Sequence, residues 1–193
     1  MNHLIISYLK FLWNSKDQHG VHSPFVFDLV TKCFYDKTKF PEYSLLKNTS
    51  KKNKLLFRVV RYFQPKTILE IGNSTEIDTN IFSSEITKFE EFQKNKLSKN
   101  DNTFHFPLLT FHFIYINKSH SQKTTLDYFE MLLPTITNDS VWIINDIHES
   151  IENENFWDII KKHPKVKVTI DTFHFGMVFF RVEQEKEHFV IRV

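Results

Sequence analysis

A chain of 193 residues with 41% apolar and 25% charged residues has the composition of one folded domain, and it excludes disorder. A net charge of +2 gives no field for a polyanion, so no nucleic-acid partner is expected, and the apolar N-terminus, interrupted by Lys10, falls short of the ~20 residues a bilayer span needs. The single cysteine, Cys33, cannot close an internal disulfide; it reads as buried core in a reducing, cytoplasmic setting.

In chain order, residues 1–64 read as a helical N-terminal extension. His3 to Trp13 reads as an amphipathic core helix, with peripheral membrane contact as the second option. Ser23-Pro24 is a helix start, with a capping hydroxyl and a proline suited to the first turn; Phe25, Leu29 and Cys33 continue the helical period. Leu55 to Phe63 is a second helix, stopped before Pro65. The cations Lys47, Lys51, Lys52, Lys54, Arg58 and Arg61 read as a solvated face. His19 and His22 read as structural caps or loop residues.

From residue 65 to 193 the pattern is that of an α/β core. Thr67 to Ile71 is a short β-prone run ending at Gly72. Ile77 to Phe82 reads as helix and Ile86 to Phe89 as a second strand, followed by Glu90. Phe111 to Ile116 is nearly continuously apolar, as buried parallel strands are. Ser121 to Leu133 reads as helix, Val141 to Ile144 as strand, and Glu152 to Lys162 as a helix with Phe156, Ile159 and Ile160 inward. Lys165 to Ile170 and Met177 to Val182 are the last two strands. The connection around Asp171 to Phe175 is too short for a crossover helix, so that pair is antiparallel. The expected fold is a Rossmann-like sheet, mostly parallel, with one antiparallel strand near the C-terminus and helices on both faces.

The motifs along this pattern resemble the class I S-adenosylmethionine-dependent methyltransferases. Thr67-Ile68-Leu69-Glu70-Ile71-Gly72 is similar to their first motif. Phe113-Ile114-Tyr115-Ile116-Asn117, followed by His120, resembles a later strand motif. Trp142 to His148, His19 to Phe25 and the ending from Phe180 to Arg192 resemble a Bacteroidetes-type subset. The resemblance implies S-adenosylmethionine as cofactor and a small-molecule O or N nucleophile as methyl acceptor. It implies that Glu70, Gly72, Ser74, Asn117 and His120 hold the cofactor. It places Glu90, 20 residues beyond Glu70, on the ribose hydroxyls. Asp146 and His148 would orient or deprotonate the acceptor.

The sequence departs from the family pattern in four places. Glu76 puts bulk and charge in the glycine turn. Asn117 and Lys118 stand where Asp and Gly are expected. Asn145 replaces an acid of a carboxylate pair, so a divalent metal site is not expected. Only 20 residues, 91–110, separate Glu90 from Phe111, where a helix, a strand and another helix need about 30 or more. One βα unit is therefore shortened, and a catalytically inactive descendant acting as a binding or scaffold protein is the competing expectation.

Overall fold

The computed structural model describes residues 2–46, 50–72, 85–88, 110–117 and 122–193. Helix α1 spans His3–Asn14, α2 spans Pro24–Leu29 and α3 spans Lys51–Phe63. Strands β1 (Thr67–Ile71), β2 (Glu85–Lys88) and β3 (Phe113–Ile116) follow, then α4 (Gln122–Leu132), β4 (Val141–Asn145) and α5 (Ile151–Lys162). Three strands end the chain: β5 (Val168–Asp171), β6 (Phe175–Phe179) and β7 (Glu187–Val190).

Local chemistry sets the helix starts. Ser23 Oγ accepts the Val26 N–H with Pro24 in the first turn, Ser50 Oγ accepts the Asn53 N–H, and Ser150 Oγ accepts the Asn153 N–H. Helix α2 continues into a π-helical turn, Val30–Phe34. Its terminal carbonyls are satisfied from α3: Arg58 Nε donates to Cys33 O at 3.0 Å and Nη2 to Phe34 O at 3.1 Å. Arg58 is thus a packing residue, not part of a solvated basic face.

The strands form one sheet in the order β2-β1-β3-β4-β6-β5-β7. Strands β2, β1, β3 and β4 are mutually parallel, while β6 runs antiparallel between β4 and β5. This is the Rossmann-like sheet expected from the sequence, mostly parallel with an antiparallel strand near the C-terminus. Strand β7, parallel to β5, is an addition the sequence did not announce.

The pleat divides the core. Ile68, Tyr115, Ile143, Ile170 and Met177 meet Leu29, Leu55, Val59 and Val60 on the α2–α3 side. Leu69, Ile71, Ile114, Trp142 and Val178 meet Phe129, Phe156 and Ile160 on the α4–α5 side. Helices α2 and α3, both before β1, therefore cover one face of the central strands. Two details of the expected packing change. Trp157, 3% exposed, turns inward where Ile159, 46% exposed, was expected. Helix α1 buries Ser7 and Phe11 but leaves Leu9 and Trp13 outside, so it is not the core helix anticipated. Cys33 is buried as expected, and burial pushes its thiol up to about 12.

Candidate functional site

The carboxyl ends of β1, β3 and β4 lie side by side, paired Glu70↔Tyr115, Ile71↔Ile116 and Ile116↔Ile144. Two-residue periodicity sends Glu70, Asn117 and Asn145 toward the α2–α3 side. Glu70 and Asn145 are buried, at 2% and 4% exposure. Asn145 Nδ2 donates to Asn117 Oδ1 at 2.9 Å. Asn145 Oδ1 is buried and accepts nothing among the described residues, which gives this wall an acceptor aimed at a donor yet to arrive.

Gly72 closes the end of β1 at φ 118°. A Cβ there would stand 2.4 Å from the Asn117 carbonyl oxygen. The Asn117 N–H donates to Ile71 O at 2.8 Å. The glycine is thus needed where β1 and β3 approach each other, whether or not a ligand is present.

Asp146 follows β4 in left-handed geometry, φ 52°. Its carbonyl accepts Asn153 Nδ2 at 2.7 Å, and its Oδ1 lies 3.5 Å from Lys52 Nζ in the first turn of α3. Its side chain remains 40% exposed, so it faces the open end of the sheet. His174 belongs to the same neighbourhood: burial lowers its pKa, and Lys52 and Lys51 lower it further. It is held as the neutral imidazole.

His148 is differently placed. Its Nδ1 lies 2.9 Å from Glu154 Oε1 and its Nε2 lies 2.7 Å from Asp171 Oδ2. The ring stacks on Phe173 at 5.1 Å and 14° and meets Phe11 edge-on at 6.4 Å. Burial alone would lower its pKa, but the hydrogen bonds and charges of Asp171 and Glu154 outweigh burial and raise it. Carboxylates on both ring nitrogens favour the protonated imidazole, so the acid–base role expected of His148 would have to be played from within this clasp.

The structure gathers Glu70, Gly72 and Asn117, sets Asp146 beside them, and places His148 between Glu154 and Asp171. Ser74, Glu76, Glu90, Lys118 and His120 lie outside the described residues, as do the helix expected over 77–82 and the shortened segment 91–110. Lys52, Glu154, Asp171 and His174 were missed as site neighbours. Each is distant in sequence from the motifs or sits in a charged run, and only the fold brings them in. Among the described residues no cluster of three metal-ligating side chains occurs. The neutral Asn117–Asn145 amide pair supplies no carboxylate at the end of β3 and β4.

A separate cavity of about 620 Å³ opens at the opposite, amino-terminal end of the parallel strands. Phe25, Tyr62, Phe63 and Phe179 wall it, with Asp28 and Arg181 at its edge. Ligands of open α/β sheets sit beyond the carboxyl ends. The buried polar wall, not this cavity, is therefore the candidate site.

No family model matches the chain, and no curated relative matches it. Solved structures do resemble it. An O-methyltransferase from Bacillus cereus in complex with SAH is 16% identical, over 69% of this chain and 83% of that one, with a TM-score of 0.43. The O-methyltransferase of tomaymycin synthesis from Streptomyces achromogenes, in complex with SAM, is 13% identical over 70% and 82%, with a TM-score of 0.45. An SAH-bound methyltransferase from Podospora anserina is 12% identical over 90% and 93%, with a TM-score of 0.49. The fold assignment stands on strand order and the insertion of β6, independently of these likenesses.

Proposed function

We propose that the chain is a diverged class I methyltransferase that binds S-adenosylmethionine and passes its methyl group to an O or N nucleophile of a small molecule. The observation that carries this is the polar wall of buried Glu70 and Asn145 with half-buried Asn117 at the carboxyl ends of β1, β4 and β3. The residues fit the amino-acid end of the cofactor: Asn145 Oδ1 is a buried acceptor open to a donor, and Glu70 brings a carboxylate. Bound there, the cofactor would supply a sulfonium-activated methyl group. By the resemblance, Ser74, His120 and Glu90 complete its contacts.

The rest of the work falls to this chain's own groups. Asp146, beside the wall and 40% exposed, is positioned to hold the acceptor and draw off its proton. Lys52 lies against Asp146, and neutral His174 lies in the same field. Positioning of this kind supplies much of the rate in a displacement that needs alignment.

A second reading, a binding or scaffold protein without turnover, is favoured by two specific observations. His148 is locked between two carboxylates and the wall carries amides where acids are expected. Calorimetric titration with S-adenosylmethionine and its demethylated product tests the first reading. Heat and a thermal shift are expected, with Glu70→Gln binding at least about tenfold more weakly. Neither heat nor thermal shift at millimolar cofactor would leave the second reading standing.

A further inference from the structure

Helix α1 buries Phe11 and the polar Ser7 and turns most of its large apolar side chains outward. Of its twelve residues, the polar Ser7 is 2% exposed, whereas Leu4 is 42%, Ile5 51%, Tyr8 45%, Leu9 53% and Trp13 91% exposed. The inward edge explains the orientation. Ser7 hydrogen-bonds Glu154, His3 lies 3.8 Å from the same carboxylate, and Phe11 packs on Phe173 at 5.3 Å. Anchoring that polar edge to α5 turns the apolar face out.

Ile5, Leu9 and Trp13 are spaced four residues apart and form one outward stripe, flanked by Tyr8 and Leu4. These five side chains together offer on the order of 600 Å² of surface, the upper end of what a monomer leaves exposed and close to the ~800 Å² each partner gives a standard interface.

We infer that this stripe is a homodimer interface, in which α1 of one chain packs antiparallel on α1 of a second copy about a two-fold axis near Leu9. A two-fold axis brings a surface against itself, so the patch must be self-complementary. An apolar stripe with no acid and with Lys10 off its centre meets that demand. Antiparallel pairing sets Ile5 of one chain against the partner's Trp13. A membrane surface is the poorer occupant, because an interfacial helix carries Lys and Arg along its polar face. Here the polar edge is spent on Glu154, and Lys10 is the helix's one cationic side chain of the Lys or Arg type.

The test is sedimentation equilibrium and light scattering on the full chain, with the Ile5→Glu/Leu9→Glu double variant alongside. Twice the chain mass is expected for the native protein at micromolar concentration. The double variant should dissociate roughly 30-fold or more easily, as loss of a central anchor does. Both positions are exposed, so the variant should keep the native circular dichroism spectrum and lose only the concentration-dependent part of its melting temperature; should it lose that spectrum, Trp13→Ser provides the same reading.

Trp142 and Trp157 are buried, so the solvent-sensitive emission reports Trp13. It should shift blue on dimerisation and red on dilution. A monomer at high micromolar concentration overturns the proposal, including one whose Trp13 is shielded by its own chain. So does a monomer that floats with anionic phosphatidylserine vesicles, or a dimer untouched by both variants.

Discussion

Gly72 combines a backbone angle that L side chains avoid with a neighbour that leaves no room for a side chain. Its φ is 118°, and an added Cβ meets the Asn117 carbonyl, backbone that cannot swing aside. Gly72→Ala is expected to cost about 3 kcal/mol or more. Chemical denaturation should show a lower midpoint at unchanged slope, with cofactor absent. A neutral result would mean that β1 and β3 separate more easily than their register implies. That a glycine ends β1 was legible from Thr67 to Gly72. That it also closes on Asn117 was not, because the contact joins two strands distant in sequence. The same blindness affects His148. Its position after β4 suggested chemistry, but its two carboxylate partners come from α5 and the end of β5, and those partners decide what the ring can do.

At the scale of elements, the helix–strand alternation and the antiparallel β5–β6 pair were readable because apolar runs and short connections leave little choice. Strand β7 was not, because Glu187-His188-Phe189-Val190 has no continuous apolar run and is only partly covered. It forms because the edge of β5 offers partners: β7 pairs it residue by residue from Glu187 to Val190. The inward turn of Trp157 has a similar origin. Its ring lies over Gly176 of β6, where an added Cβ would stand 2.6 Å from Cη2. Gly176→Ala should force that ring off its seat and cost about 1–3 kcal/mol as an overpacked core, read as a change in near-ultraviolet circular dichroism together with a lower melting temperature. Ser50→Ala tests the start of α3. Loss of the hydroxyl that accepts the Asn53 N–H should cost about 1 kcal/mol, measured by denaturant titration.

At the scale of the molecule, the His148 clasp ties together the end of β4, helix α5, the end of β5 and, through Ser7 and His3, helix α1. Its proton is bound more tightly in the folded chain than in the unfolded one, since Asp171 and Glu154 raise the pKa above 6.5 against the opposing effect of burial. The clasp's contribution is therefore complete below pH 6.5 and is lost as pH rises through the folded value. Other groups mask this only near pH 6.5. Burial lowers His163, His174 and His188 below 6.5, so their effect, a gain with rising pH, opposes the clasp near 6.5 and is finished about one pH unit above it, once the unfolded imidazoles have lost their protons. The Glu154 carboxyl is a balance of burial, which raises it, and the stronger sum of His148, Ser7 and His3, which lowers it; its contribution is already present above 4.5. Cys33, shifted up from 9.0, begins to matter only near that pH. From about one pH unit above 6.5 until the folded His148 value is passed, the folded chain holds the extra proton and the slope of stability against pH is negative. His148→Gln, which keeps a donor but no titrating proton, should flatten the slope in that window and cost about 3 kcal/mol at pH 6, where two carboxylates then face each other without the cation. A native protein whose denaturation midpoint holds or rises across that window would show that the clasp is not an imidazolium, and would return His148 to the list of groups able to take a proton from a substrate.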